Sequence, residues 1–116
     1  MNTVLVVRRQ VHGTTGESLG RGCWIWCPGC DEAHRPVIAD EDGHEPPGPV
    51  WGWDGNLTAP TFTPSVLVQG GPKNSVCHSF IRNGRWEFLA DSTHPLAGQT
   101  VDMVPVPDWL TMEGTS

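Results

Sequence analysis

Val76-Cys77-His78-Ser79-Phe80-Ile81-Arg82, then Asn83-Gly84, then Arg85-Trp86-Glu87-Phe88-Leu89-Ala90 is the stretch on which the fold turns. Two runs rich in β-branched and aromatic residues flank a dipeptide whose residues tolerate positive φ. That pattern predicts a β-hairpin closed by a type I′ turn. Within the first run, strand alternation puts Cys77 and Ser79 on one face and His78 and Phe80 on the other.

The rest of the chain reads the same way. Thr3 to Arg8 predicts a first strand, and the glycine-rich stretch from His12 to Gly22 a loop or a loose hairpin end. Gly22 to Trp26 leads into Cys27-Pro28-Gly29-Cys30, and His34 to Ala39 leads back out, with Pro36 confining that strand to an edge. Residues 40–49 read as an exposed acidic, proline-rich loop. Val50 to Trp53 resumes strand character up to the Asp54-Gly55 turn, and Ser65 to Gln69 is a short strand after an extended Thr58–Pro64 segment. Beyond the hairpin, Asp91 to Pro95 is a polar turn, Leu96 to Gln99 has room for one helical turn, and Thr100 to Val104 is a last strand. Pro105 to Leu110 reads as extended and apolar, so that 105–116 form an extended tail. No segment shows a sustained 3.6-residue apolar period. The expectation is a mostly β protein: one small domain over 1–116, an antiparallel sheet or sandwich with a zinc-knuckle turn and little or no helix.

The composition is that of a thin core. Only 37% of the 116 residues are hydrophobic, against 14 glycines and 11 prolines, so a covalent or metal staple would add much to stability. The net charge of −6 argues against a surface for nucleic acid or anionic membranes. The six tryptophans read as core or protein interface rather than as base-stacking platforms. The first nine residues place their apolar run before the arginines, the reverse of an export signal. Nothing approaches the roughly 20 apolar residues of a membrane span. The expected setting is the cytoplasm of a bacterial host or a virion, and the expected partners are proteins or further copies of the chain.

Without an export signal, the four cysteines read better as metal ligands than as disulfides. Two thiols on a Pro-Gly turn are half of a tetrahedral zinc site. Cys77 supplies a third thiolate, and His94 is the favoured fourth ligand, with His34 as the alternative. Cys23, four residues before the turn, reads as a buried bystander. Thioredoxin-like redox chemistry is excluded, because nothing after Cys30 has helical period to lower a thiol pKa. Among serines, Ser65, Ser79 and Ser92 offer hydroxyls, with His78 or His94 as base and Asp91 as orienting acid. Asp91 lies nearer in sequence to His94, which leaves His78 without an evident orienter.

Cys27-Pro-Gly-Cys30, Trp51-Gly-Trp-Asp-Gly55, Pro60-Thr-Phe-Thr-Pro-Ser-Val66, Cys77-His-Ser-Phe-Ile81 with Asn83-Gly84, and Asp91-Ser-Thr-His-Pro-Leu-Ala-Gly-Gln-Thr-Val101 form an ordered set of blocks. That set resembles a family of small, uncharacterised phage and prophage proteins, some of which carry an ammonia monooxygenase label. A membrane metalloenzyme chemistry does not suit a chain with no span. The resemblance implies a cysteine where Ser92 stands here. More remotely, the Pro-Ser block and the Cys-His strand resemble peptidase-like proteins of bacterial ubiquitin-like conjugation systems, which implies Ser65 as nucleophile and His78 as base. Two expectations follow. The first is a phage-type zinc-binding interaction or virion module without catalysis. The second is a small serine hydrolase using Ser65 and His78 beside a structural zinc.

Overall fold

The computed structural model describes residues 3–70 and 75–112. Asn83 and Gly84 take φ of 51° and 75°, the double positive φ that a type I′ turn demands. They join β7 (Ser75–Arg82) to β8 (Arg85–Phe88) in the register Arg82↔Arg85, Phe80↔Glu87. A Cβ at Gly84 would lie 2.9 Å from Ala59 Cα, so the turn also serves as a close packing point.

This hairpin is the centre of a five-stranded antiparallel sheet ordered β5-β6-β7-β8-β9, with β5 (Gly52–Trp53), β6 (Phe62–Gly70) and β9 (Thr100–Asp102). A second antiparallel sheet is built on the long strand β2 (Ser18–Cys27). β1 (Val6–Val11) pairs with one edge of β2. β3 (Glu32–His34) and β4 (Val37–Ile38) follow one another along the other edge. The sheets are linked by a parallel bridge between Ile38 and Trp51, and Trp51 N–H donates to the Val37 carbonyl.

Alternation along β2 and β7 explains how the two sheets close. Cys23, Ile25 and Cys27 are buried from the first, and Cys77, Ser79 and Ile81 from the second. With Phe62, Val66, Trp86 and Phe88 they form one core. Trp86 stacks on Phe88 with ring centroids 5.3 Å apart.

Several expected boundaries shift. The first strand runs Val6–Val11 rather than from Thr3, and Ser18 to Gly22 lies in β2 because Val11 pairs with Ser18. Only 12–17 remain as loop, closed by His12 N–H to the Glu17 carbonyl. The strand expected from His34 to Ala39 is split at Arg35-Pro36, since Pro36 has no N–H to donate; its carbonyl accepts from Cys23 N–H. Leu96 to Gln99 makes consecutive turns and no helix.

The extended tail expected over 105–116 is corrected by a short helix, α1 (Asp108–Met112). Pro107 sets φ just before it, Asp108 complements the helix N-terminus, and Leu110 is fully buried as its anchor. Residues 113–116 of that stretch fall outside the described residues, as do Gly71 and Pro72 of Gly70-Gly71-Pro72, which by sequence should break the strand after Gln69.

Candidate functional site

β7 carries two different chemistries on its two faces. Cys77 points inward, where Cys27, Cys30, Cys77 and His94 bring their ligand atoms within 4.8 Å of one another. The Cys27-Pro-Gly-Cys30 turn is tightened by Asp31 N–H to the Cys27 carbonyl at 2.8 Å, with Asp31 at a φ of 56°. The Cys30 amide points at Cys27 Sγ, 3.4 Å away. Gly29 is required there because the His94 ring lies directly over it, in the space that any Cβ would fill. His94 is held from the other side by an edge-on contact with Phe88, centroids 4.5 Å apart.

These residues fit a tetrahedral cation. Zn–S bonds of about 2.3 Å at tetrahedral angles separate two sulfurs by about 3.8 Å. Cys27 Sγ and Cys77 Sγ are 3.8 Å apart. His94 Nε2 is buried with no hydrogen-bond partner, which is costly unless a metal or another group satisfies it. Three thiols and one imidazole are a soft, closed donor set.

The thiols share their protons unevenly. The hydrogen bond from Cys77, assisted by His34, holds the Cys27 thiol down at about 4 against the opposing effect of burial. The same bond, with burial, pushes the Cys77 thiol up. Burial and then the neighbouring Cys27 charge push Cys30 up to about 11. His34, the alternative ligand, is buried edge-on against Trp86, centroids 6.1 Å apart, and lies outside the four-residue cluster. Cys23 is fully buried, and burial pushes its thiol up to about 12, as befits an inert packing residue.

On the outer face of the same strand His78 stands between two oxygens. Its Nε2 is 3.1 Å from Ser65 Oγ and its Nδ1 is 3.0 Å from Asp91 Oδ2. The structure corrects the pairing expected for Asp91, which meets His78 and not His94. The hairpin register was the available signal: Phe80 faces Glu87, so counting back places His78 beside Leu89, two residues before Asp91. Leu89 N–H indeed donates to the His78 carbonyl at 2.8 Å.

The backbone of His78 is fixed by Ser92. Its hydroxyl accepts from His78 N–H at 3.0 Å and donates to the His78 carbonyl at 3.1 Å. Ser92 is thus a buried clamp on His78, outside the thiol cluster at the position where the resemblance implies a cysteine. Ser79, the remaining candidate hydroxyl, is fully buried on the inner face and has no polar partner.

Ser65 reaches His78 because β6 is irregular just before it. Between Phe62 and Val66 the strand advances four residues while β7 advances two, from Ile81 to Ser79. Such a bulge re-aims side chains. Trp51, which the sequence marked only as an aromatic, donates its indole N–H to the Ser65 carbonyl at 3.1 Å. It ties the serine to the strand crossing between the sheets.

A hydroxyl, an imidazole and a carboxylate in line, on a β domain braced by a Cys3His cluster, define a serine-hydrolase-like site. The model of the family described as "Bacterial ubiquitination-like system serine protease (BubE)" matches residues 3–89, about three quarters of the chain, and the protein belongs to that family. The match includes Ser65, His78 and the three clustered cysteines, and it ends before Asp91 and His94. No curated protein and no solved structure matches. Among the described residues no helix is long and apolar enough to cross a membrane.

Proposed function

We propose that this protein is a small serine peptidase in which Ser65 is the nucleophile, His78 the general base and Asp91 the orienting acid. The observation that carries the reading is the continuous line from Ser65 Oγ through both nitrogens of His78 to Asp91, with contacts of 3.1 and 3.0 Å. Family membership supports it.

In the reaction, Ser65 Oγ attacks the scissile carbonyl while His78 Nε2 takes its proton. The tetrahedral adduct collapses to an acyl-serine ester as His78 returns that proton to the leaving amine. Water, deprotonated by His78, then releases the acid and restores Ser65. Asp91 accepts a hydrogen bond from Nδ1–H, which fixes the tautomer in which Nε2 has its lone pair free for the serine proton. The Asp91 side chain is 60% exposed, so its role is orientation more than buried-charge stabilisation.

The Cys27, Cys30, Cys77 and His94 cluster fits a structural zinc. Bound there, the metal would cross-link the knuckle, β7 and the 91–94 turn, and its four protein ligands leave no open position for substrate. The case for a purely structural interaction module draws on the thin core, the many loops and an apolar C-terminal stretch that could complete its burial against a partner. Val106 and Leu110 of that stretch are buried within this chain, leaving Trp109 as its exposed aromatic.

The test is labelling with an alkyl fluorophosphonate followed by mass spectrometry of the adduct. The modification should fall on Ser65 and be absent from Ser65→Ala and His78→Ala proteins that fold normally. A wild-type protein that carries one zinc, is folded and takes no label would refute the peptidase reading.

A further inference from the structure

β6 is nine residues long, but its partner β5 covers only its first two, through Gly52↔Thr63 and Trp53↔Phe62. At Trp51 the chain turns away to bond the other sheet, so β5 ends just before it would pass Ser65. Among the described residues, no strand pairs with that edge of β6 from Ser65 onward.

The hydrogen-bond pattern shows which groups face that opening. In an antiparallel ladder, alternate residues point their N–H and C=O to alternate sides. Val76 and His78 spend theirs on the side away from β6: both Val76 groups on Thr93, and both His78 groups on Ser92, with Leu89 sharing the His78 carbonyl. Their cross-strand partners are Gln69 and Leu67. Leu67 and Gln69 therefore direct their own N–H and C=O groups away from β7, to the open edge. The Ser65 carbonyl, in phase with them, points the same way and is the one taken by Trp51. Among the described residues, no hydrogen bond from elsewhere reaches the main chain of Leu67 or Gln69.

This edge lacks the usual protection. Folded proteins guard open strands with charges, prolines or a covering element. Ser65-Val66-Leu67-Val68-Gln69 has none of the first two, and Leu67 is 46% exposed while Gln69 is also exposed. An unguarded edge with two free donors and two free acceptors beginning two residues from a nucleophile is a template for an extended peptide.

We propose that the substrate binds by strand addition. On this inference, which rests on the peptidase reading, an extended polypeptide segment lies along Leu67–Gln69 as a continuation of β5. Four main-chain hydrogen bonds hold it, an apolar side chain rests on Leu67, and its scissile carbonyl is presented beside Ser65. Recognition is then mainly of backbone, and the substrate class is an unfolded tail or linker rather than a folded surface.

The test separates peptide recognition from serine reactivity. An acetyl-pentaalanyl diphenyl phosphonate offers an extended chain long enough to run from Ser65 to Gln69, whereas an alkyl fluorophosphonate reports Ser65 alone. In Gln69→Pro the lost N–H is one that faces the open edge, so the β6–β7 ladder is kept. That variant should react with the pentaalanyl reagent about tenfold more slowly than wild type, the cost of one main-chain hydrogen bond at the upper end. Its fluorophosphonate rate should be unchanged. In wild type, N-methylation of the reagent's amides one at a time should cost about tenfold at alternate positions only. Equal pentaalanyl rates for wild type and Gln69→Pro, or N-methylation without effect, would overturn strand addition while fluorophosphonate labelling upheld the peptidase. If Gln69→Pro does not fold, the N-methyl series in wild type decides alone. No labelling by either reagent would overturn both readings.

Discussion

Cys77 and His78 are consecutive in β7, yet Cys77 belongs to the buried thiol cluster and His78 to the hydrogen-bonded line on the opposite face. Asp91 and His94 repeat the relationship in one turn, the first on His78 and the second in the cluster. A metal that joins Cys77 to His94 therefore also fixes the two chain segments that set the His78–Asp91 contact. Removing zinc with a strong chelator should lower the melting temperature and slow fluorophosphonate labelling together. Zinc sites of this donor type contribute on the order of 10 kcal/mol to folding. Labelling at full rate in metal-free protein would show that the two faces of β7 are independent.

Cysteine replacements sort the thiols. Cys77→Ala should lose the metal and fail to fold, while Cys23→Ala should keep one zinc per chain. The cost of the latter is about 1 kcal/mol, from the small cavity left behind. Elemental analysis and thermal melts of the two variants check this, and an unchanged melt for Cys77→Ala would dispose of the staple.

Asp91→Asn keeps the shape but reverses the hydrogen-bond preference at Nδ1, favouring the wrong tautomer of His78. Hydrolysis of an activated ester or peptide should fall in kcat by about 10³-fold or more, with KM little changed. Asp91→Ala should be similarly impaired, and both should melt within about 0.5 kcal/mol of wild type because the carboxylate is exposed. A kcat within threefold of wild type would remove Asp91 from the catalytic line.

Zinc uptake should release about two protons at neutral pH, because Cys30, pushed up to about 11, and Cys77, also pushed up, hold theirs, whereas Cys27 at about 4 does not. The sign follows: affinity falls as pH falls, by about a hundredfold per unit while two protons must leave. Calorimetric titration in buffers of different ionisation enthalpy reads the number directly. Release of no protons would mean that the thiols are not the ligands.

Gly29→Ala tests the knuckle without touching a ligand. A methyl there would overlap the His94 ring, so the ring or the turn must shift. Metal affinity measured against a competing chelator should drop by about 10- to 100-fold.

Local patterns carried much of this into the sequence. Asn83-Gly84 gives the central hairpin, alternation puts Cys77 inside and His78 outside, and the Cys-Pro-Gly-Cys turn announces the cluster that His94 completes. What stayed hidden depends on distant pairing. The extension of β2 back to Ser18 needs β1 beside it, since glycine-rich sequence alone favours a loop. The Asp91–His78 contact can be counted from the hairpin register, but only if the chain after β8 stays alongside β7, where Ser92 and Thr93 bond His78 and Val76. Trp51 is one tryptophan among six in the sequence, and only the fold brings its indole to the Ser65 carbonyl. The helix at Asp108–Met112 forms because Leu110 finds a place in the core. Five residues have too short a period to announce it.

The spread of the cluster along the chain, from the Cys27 turn to His94 beyond the second strand of the hairpin, orders events during synthesis on the ribosome. A nascent chain exposes the first thiol pair while β6, β7 and the last ligand are still unmade. A soft cation met at that stage lacks Cys77 and His94, so it is more readily exchanged or lost. Full capture waits until His94 has emerged, and at that moment His78 and Asp91 are brought together as well. On the proposed reading, metal loading and assembly of the nucleophile's partners would fall in one late step, and a chain cut before His94 would lack both.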